Sequence, residues 1–135
     1  MEKICISAVI AANQQKVWDY YTLPEHITKW NFASADWCCP SASNDLQVGG
    51  IYIARMEAKD GSFGFDFEVR YTEVNIGNGF TYTGMGRYFE VTLTTQGEAT
   101  LISIRFDPET QNPVELQQQG WQAILNNFKA YTETH

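Results

Sequence analysis

Apolar and polar residues alternate along the middle of the chain, and this alternation constrains the fold more than any other feature. Between residues 63 and 75, apolar side chains occupy every second position, opposite Asp66, Glu68, Arg70 and Thr72. The apolar members are Phe65, Phe67, Val69 and Tyr71. Because the side chains of a β-strand point alternately to its two faces, such a segment has one apolar face. The pattern predicts an antiparallel sheet that is covered on one side only.

Short turn sequences that contain glycine separate the alternating segments. They are Asp60-Gly61, Asn78-Gly79, Gly84 with Gly86, and Gln96-Gly97. Such sequences are typical of hairpins, in which glycine supplies the backbone conformation that the turn requires. Together with an N-terminal apolar run, they predict about six strands, at residues 3–11, 51–58, 63–75, 80–83, 87–95 and 100–107.

A C-terminal amphipathic helix is the predicted cover for the apolar face. Its apolar residues recur at helical spacing, which places them on one side. They are Trp121, Ile124, Leu125, Phe128 and Tyr131. Asn112 and Glu115 have the spacing of a capping box, and Pro113 suits the first helical position. Gly120 lies inside this helix at a cost of roughly 1 kcal/mol relative to alanine, which favours a close approach to a neighbouring segment.

Two short helices are predicted after the first strand. Asn13 is a suitable cap for the first, and Pro24 fits the first turn of the second. Their apolar residues are Val17, Trp18 and Tyr21 in the first helix, and Ile27 and Trp30 in the second. Residues 32–45 show no periodic pattern, so we expect a long irregular loop there, which would serve as a lid.

These elements together predict an α+β fold in one domain, residues 1–135. A long C-terminal helix lies across a curved antiparallel sheet of about six strands and covers an apolar cavity. Aromatic residues make up 14% of the sequence, and large rings suit either a core or the wall of a binding cavity.

Charge and cysteine content exclude several classes of partner. The formal net charge is −7, and the nine Lys and Arg residues form no basic run. Nucleic acids and anionic membrane surfaces bind clustered positive charge, so we expect neither as a partner. No segment is long and apolar enough for a membrane helix, and we expect no membrane insertion. Three irregularly spaced cysteines argue against a secreted disulfide framework and favour the reducing cytoplasm.

Several short segments resemble a known family from near one end of the chain to the other. They are residues 17–21, residues 24–27 with Trp30, residues 35–37, residues 48–50, residues 55–61, residues 65–67, and Gly120 with Trp121. The chain resembles the helix-grip superfamily of START lipid-transfer domains and polyketide cyclases, often called SRPBCC. Within it, the chain is similar to bacterial single-domain relatives of the C-terminal domain of the activator of heat-shock protein 90 ATPase. The resemblance implies the helix-grip fold more firmly than a function, because one fold hosts many activities.

Fourteen residues are candidates for binding a small hydrophobic or aromatic ligand between the sheet and the last helix. The apolar candidates are Trp18, Tyr21, Trp30, Phe32, Trp37, Phe65, Phe67, Tyr82, Phe89, Trp121, Leu125 and Phe128. The alternative for each is that it only fills the core. Arg87 shares strand parity with Phe89, so its guanidinium could meet a ligand carboxylate, unless it extends along the sheet edge to solvent. Gln117, one turn before Trp121, could orient a ligand through its amide, unless it is exposed.

No catalytic, metal-binding or cofactor site is predicted. The sequence has no serine nucleophile elbow and no convergent set of metal ligands. His26, the only internal histidine, could act as an acid or base, but on a short surface helix we expect a solvated or capping role. A lipid-like ligand is therefore the first hypothesis. Two alternatives stay open, namely a protein-interaction role like that of the chaperone ATPase activators, and an enzyme of the cyclase or hydrolase type.

Overall fold

A computed structural model describes residues 2–135 as a seven-stranded antiparallel sheet with three helices. The strands are β1 (Ile4–Ile10), β2 (Trp37–Asn44), β3 (Ile51–Ala58), β4 (Gly64–Asn75), β5 (Gly79–Gly84), β6 (Arg87–Gln96) and β7 (Ala99–Phe106). The helices are α1 (Gln14–Thr22), α2 (Pro24–Trp30) and α3 (Val114–Thr134). The strand order is β1-β7-β6-β5-β4-β3-β2, and every neighbouring pair is antiparallel. This is the α+β helix-grip fold that the sequence predicts.

One face of the sheet is buried and the other meets solvent. In β6 and β7, the residues Phe89, Val91, Ile102, Ile104 and Phe106 are all buried, while their neighbours along each strand are more accessible. A register shift between Tyr71 and Glu73 interrupts the pairing of β4 with β5. Such bulges bend a strand and increase the local twist. The sheet therefore curls around its apolar face.

Helix α3 lies across this curled face. It packs along β1 at one edge, and the Trp121 ring reaches Phe67 on β4, Phe89 on β6 and Phe106 on β7. Leu125 and Phe128 on the same stripe are fully buried. The predicted cover is confirmed. Within residues 2–135, no helix has both the length and the apolarity needed to cross a membrane.

The two short helices begin where the sequence places them. The Asn13 side chain accepts a hydrogen bond of 2.8 Å from the backbone N–H of Lys16 and caps α1. Pro24 opens α2 in the first turn, where its missing N–H costs nothing. Both helices close one end of the sheet against α3.

The prediction of an irregular lid at residues 32–45 is wrong, because most of this segment is the edge strand β2. It pairs with β3, and a register shift between Cys38 and Ser41 accommodates Pro40. Proline cannot donate to a ladder, but it is tolerated at a bulge of an edge strand. Strand β2 accounts for the seventh strand, beyond the about six predicted.

The start of α3 also differs from the prediction. Pro113 is the cap residue, and no side chain caps the helix. The Asn112 amide instead donates to the Glu109 carboxylate at 2.6 Å, so the predicted capping box is absent. A Cβ added at Gly120 would meet nothing within 4 Å. The predicted close approach at Gly120 is therefore wrong, and open space lies beside the helix.

Candidate ligand-binding cavity

A cavity of about 580 Å³ lies between the apolar face of the sheet and α3. Strands β2 to β7 supply its floor and one wall, α3 its roof, and α1 and α2 its inner end. The floor and wall include Tyr52, Met56, Phe65, Phe67, Tyr71, Phe80, Tyr82, Arg87 and Ile104. The roof and inner end include Leu116, Gln117, Gly120, Trp121, Ile124, Leu125, Tyr21 and Trp30. Most of these side chains are apolar or aromatic, as is typical of small-molecule sites.

The open volume has a local cause in α3. Gly120 faces the cavity and contributes no side chain to it. The next residue, Trp121, turns toward β7 and lies 4.4 Å from Phe106 between ring centroids. Its indole is stacked on Phe89 at 5.5 Å. The helix therefore rests on Trp121 at one side, and the space beside it stays unfilled.

One end of the cavity opens to solvent between two hairpins and the start of α3. Four large apolar residues of the lining are exposed there, namely Phe63 at 61%, Phe65 at 40%, Met85 at 51% and Leu116 at 55%. Met85 has a positive φ of 55°, which is uncommon for a residue with a side chain. Gly86 follows with φ 73°, so Met85 stands at the tip of a two-residue hairpin turn. We call this ring of four apolar residues the mouth.

Arg87 brings a positive charge to the cavity near the mouth. Its Nε donates to the carbonyl of Asp107 at 3.1 Å, and its guanidinium carbon lies 5.0 Å from the Phe89 ring centre. Burial lowers the Arg87 pKa, and the carboxylates of Glu109 and Asp107 oppose that shift. Arginine stays protonated under such conditions. Its terminal nitrogens have no hydrogen-bond partner among residues 2–135 and are free to meet an anionic group.

Gln117 lines the cavity, but its amide is engaged by the protein. Its Oε1 accepts from the backbone N–H of Glu109 at 2.8 Å, and its Nε2 donates to the carbonyls of Glu109 and Asn112. Both amide hydrogens are therefore used. Gln117 is buried, contrary to the alternative of an exposed position. It fixes the segment between β7 and α3, whose Glu109 and Asn112 also line the cavity.

Four tyrosines gather at the inner end of the cavity. The Tyr71 hydroxyl donates to Asn44 Oδ1 at 2.7 Å, and the Asn44 amide donates to the carbonyl of Thr22 at 2.8 Å. The other three are Tyr21, Tyr52 and Tyr82. Burial raises the pKa of each of these three phenols above its ordinary value, so all stay neutral near pH 7.

Nine of the fourteen predicted site residues line the cavity. They are Tyr21, Trp30, Phe65, Phe67, Tyr82, Arg87, Gln117, Trp121 and Leu125. Their role in binding stays a prediction.

The other five predicted residues support the cavity from behind or lie outside it. Phe89 is buried beneath Trp121, and Phe128 is buried 4.9 Å from Trp30. Trp18 packs on the far side of Phe80. Trp37 packs against Phe63 and Phe65 beside the mouth. Phe32 lies in the turn that precedes β2 and is not in the lining.

Sequence reasoning missed part of the lining that alternation should have found. Tyr52 and Met56 share strand parity with buried Ala54 on β3, and Phe80 shares parity with Tyr82 on β5. Met85 and Leu116 of the mouth carry no such signal. Their meeting depends on the folded sheet, which brings the Met85 hairpin tip next to the start of α3.

His26 lies away from the cavity. Its ring stacks on Tyr20 at 3.9 Å, and its Nδ1 is 2.8 Å from the Tyr131 hydroxyl. His26 is thus partly buried between two tyrosines. Among residues 2–135, no three His, Cys, Asp or Glu side chains are grouped as a metal site would require.

The fold matches solved bacterial proteins over nearly the whole chain. The solution structure of the AHSA1-like protein from Aeromonas hydrophila has a TM-score of 0.92 and 39% identity, and the match covers 98% of this chain and 92% of that one. Chr148 from Cytophaga hutchinsonii has a TM-score of 0.84 and 48% identity, with the same coverage. CV1439 from Chromobacterium violaceum shares the fold at 24% identity, with a TM-score of 0.85 and coverage of 98% and 97%. Among curated proteins, no significant match was found.

The family model described as Activator of Hsp90 ATPase homolog 1-like protein matches residues 11–133. This match spans both short helices, strands β2 to β7 and almost all of α3. It therefore includes every element that lines the cavity. The chain belongs to the Activator of Hsp90 ATPase homolog 1-like family.

Proposed function

We propose that the protein binds a small, largely apolar molecule in the cavity beneath α3. One observation carries this proposal: a space of about 580 Å³, lined mostly by apolar and aromatic side chains, opens to solvent at one end. The volume falls in the range of small-molecule sites, roughly 300 to 1,000 Å³. A cavity that only reflected imperfect packing would be far smaller, because protein interiors are close-packed.

Burial of the ligand supplies the driving force for binding. A ligand that loses about 300 Å² of apolar surface to the cavity gains roughly 7 kcal/mol at about 25 cal/mol per Å². Part of this gain is offset by the ordering of the ligand and the mouth. Arg87 near the mouth pairs with a carboxylate if the ligand carries one, since its terminal nitrogens have no protein partner.

Native mass spectrometry of gently purified protein tests the proposal directly. We expect a co-purified small molecule, or stabilisation by members of a panel of fatty acids, sterols and aromatic acids in a thermal-shift assay. Gly120→Leu places a side chain in the cavity and should abolish the shift. Gln119→Leu is the matched control, because position 119 is exposed on the same helix. If the panel has no effect on the wild type and nothing co-purifies, the proposal fails.

A second candidate function follows from the family itself. The family description names activation of a chaperone ATPase, and the net charge of −7 would favour a basic partner surface. An ATPase assay with the Hsp90-type chaperone of the same organism tests this role. Unchanged turnover at saturating protein would remove it. Gly120→Leu separates the two functions, because a surface interaction should survive when the cavity is filled.

We also propose that the protein works in the reducing cytoplasm. Cys5, Cys38 and Cys39 are all free thiols, and none is paired in a disulfide. Disulfides are rare where glutathione and thioredoxin keep thiols reduced. Cell fractionation with an antibody to the protein tests this assignment.

A further inference from the structure

Two buried phenols at the inner end of the cavity have no hydrogen-bond partner in the protein. Tyr52 is only 8% exposed and Tyr82 only 4%. Among residues 2–135, neither phenolic oxygen makes a hydrogen bond, whereas the Tyr71 hydroxyl is bonded to Asn44. A buried tyrosine hydroxyl usually finds a partner. Tyr52 and Tyr82 therefore depart from the usual pattern at the same place.

Both phenolic oxygens face the cavity. Of the buried polar side-chain atoms in the described chain, only Thr132 Oγ1 is both fully enclosed and unpartnered. The oxygens of Tyr52 and Tyr82 therefore each border open space. Since both residues line the cavity, that space is the cavity. Their ring centres lie 6.0 Å apart, on strands whose apolar side chains point the same way.

The surroundings of this pair are uncharged. Arg87 and Glu109 are the only charged residues among those that line the cavity in the described chain, and both belong to the end near the mouth. The other polar groups nearby are also uncharged: Tyr71 and Asn44 are bonded to each other, and Tyr21 is a further neutral phenol beside the pair. A ligand carboxylate at the inner end would thus lose its hydration without meeting a cation, which is costly. Burial of an uncharged ligand oxygen costs much less hydration free energy, and such an oxygen can accept a hydrogen bond from a neutral phenol.

We propose that Tyr52 and Tyr82 donate hydrogen bonds to an uncharged oxygen of the bound ligand, such as a ketone, an ester carbonyl or a hydroxyl group. This inference rests on the proposed function and specifies the ligand class. The ligand enters through the mouth with its uncharged oxygen leading. Any carboxylate that it carries stays beside Arg87. The two phenols thus give the apolar cavity a preferred orientation for its ligand.

Binding of two matched probes tests the inference. These are 2-acetylnaphthalene and 2-ethylnaphthalene, which share a ring system and differ in one carbonyl oxygen. For the wild type, we expect the ketone to bind about tenfold more tightly, the effect of two hydrogen bonds of ordinary net strength. In the double variant Tyr52→Phe, Tyr82→Phe the preference should fall below about twofold. Tyr88→Phe is the control, because it also removes a phenolic hydroxyl, but from a residue outside the cavity lining.

The possible results distinguish this inference from the proposed function. Equal binding of both probes by the wild type would overturn the inference and leave the ligand-binding proposal standing. A ketone preference that survives in the double variant would overturn it too. If neither probe binds the wild type, the inference falls, while the ligand-binding proposal is decided separately by native mass spectrometry and the thermal-shift panel.

A thermal-unfolding measurement guards against a variant that fails for structural reasons. If the two hydroxyls serve a ligand and not the fold, Tyr52→Phe and Tyr82→Phe should leave the melting temperature unchanged or raise it by a few degrees, because each removes an unpaired buried polar group. Tyr71→Phe should lower the melting temperature, since it breaks the bond to Asn44. A marked loss of stability in both Tyr52→Phe and Tyr82→Phe would assign the hydroxyls to the fold and overturn the inference.

Discussion

Thr132 on α3 has a side-chain hydroxyl that makes no interaction to stabilise the fold in the described chain. It is fully buried, and its Oγ1 has no hydrogen-bond partner in the described chain. Thr132→Val keeps the shape and removes the hydroxyl, so we expect a gain of about 1 kcal/mol in the free energy of unfolding. Urea denaturation measures it.

Thr22→Val is the matched comparison for Thr132→Val. Thr22 is also buried in a helix, but its hydroxyl donates to the carbonyl of Trp18 at 2.7 Å. Its loss should lower stability by about 1 kcal/mol. If both substitutions changed the free energy of unfolding in the same direction, the prediction would be contradicted, because the two sites differ in whether the hydroxyl is hydrogen-bonded.

Cys39 makes stability depend on pH in the alkaline range. Burial raises the pKa of its thiol to about 11 from an ordinary value of 9.0. The native state therefore holds this proton where the unfolded chain loses it. The stabilisation is complete below pH 9.0 and is lost as the pH rises through about 11. We expect the wild type to lose about 1 to 2 kcal/mol more than Cys39→Ala over this interval.

Urea denaturation at several pH values, with reductant present, measures this difference. Cys5→Ala serves as the control, because Cys5 is exposed. The phenols of Tyr21, Tyr52 and Tyr82 act in the same direction, since burial raises the pKa of each. Tyr21 and Tyr82 contribute equally in all three proteins and cancel in the comparison, whereas the contribution of Tyr52 to the wild type includes its interaction with Cys39. Parallel curves for the wild type and Cys39→Ala would contradict the prediction.

At the scale of elements, Gly120 in α3 separates helix propensity from cavity filling. A Cβ at this position meets no atom within 4 Å. Gly120→Ala should therefore stabilise the protein by about 0.5 to 1 kcal/mol, the propensity difference between the two residues. Thermal unfolding measures the change.

Gly86→Ala is the contrasting variant. It also meets no atom, but Gly86 has φ +73° at the hairpin tip, where a Cβ is strained. We expect a loss of about 1 kcal/mol there. If Gly120→Ala proved as destabilising as Gly86→Ala, the space beside α3 would not be open.

Elements with a strong period are predictable from this sequence, and those that depend on neighbours are not. The predicted strand at residues 51–58 coincides with β3, since Tyr52, Ala54 and Met56 alternate with more accessible residues. Strand β2 escapes prediction because Pro40 and two adjacent cysteines mask it, and only pairing with β3 specifies it. The cap of α3 fails for a similar reason, because Glu109 takes the Asn112 side chain.

The same distinction applies to the candidate site. Phe67 and Tyr82 are predictable because strand parity places them on the covered face. Phe89 has the same parity but lies beneath Trp121, so it supports the cavity without lining it. Strand parity predicts which face of the sheet a side chain points to, but it does not predict whether that side chain borders the cavity or lies beneath another residue. Depth depends on where α3 contacts the sheet, which is a property of the assembled fold.

At the scale of the whole molecule, α3 links parts of the sheet that are far apart in sequence. Trp121 contacts β4, β6 and β7, and Phe128 contacts Tyr21 of α1 and Trp30 of α2. Strand β1 pairs with β7, which joins the N-terminus to the last hairpin. These aromatic residues belong to the buried core or pack against it. Loss of α3 would therefore expose the apolar face of most strands at once.

We propose on this basis that residues 1–135 fold as one cooperative unit. In urea, tryptophan fluorescence and far-UV circular dichroism should give the same transition midpoint, as two-state unfolding requires. Fluorescence is sensitive to unfolding here because Trp18 on α1 and Trp30 on α2 are buried. Trp121 reports whether α3 is still packed on the sheet. Thr132→Val, on α3, should move both midpoints together and leave the slope with urea unchanged. If fluorescence changed before the dichroism, α3 would unfold independently of the sheet. The cavity would then lack a fixed roof, and ligand binding would have to be coupled to the docking of the helix.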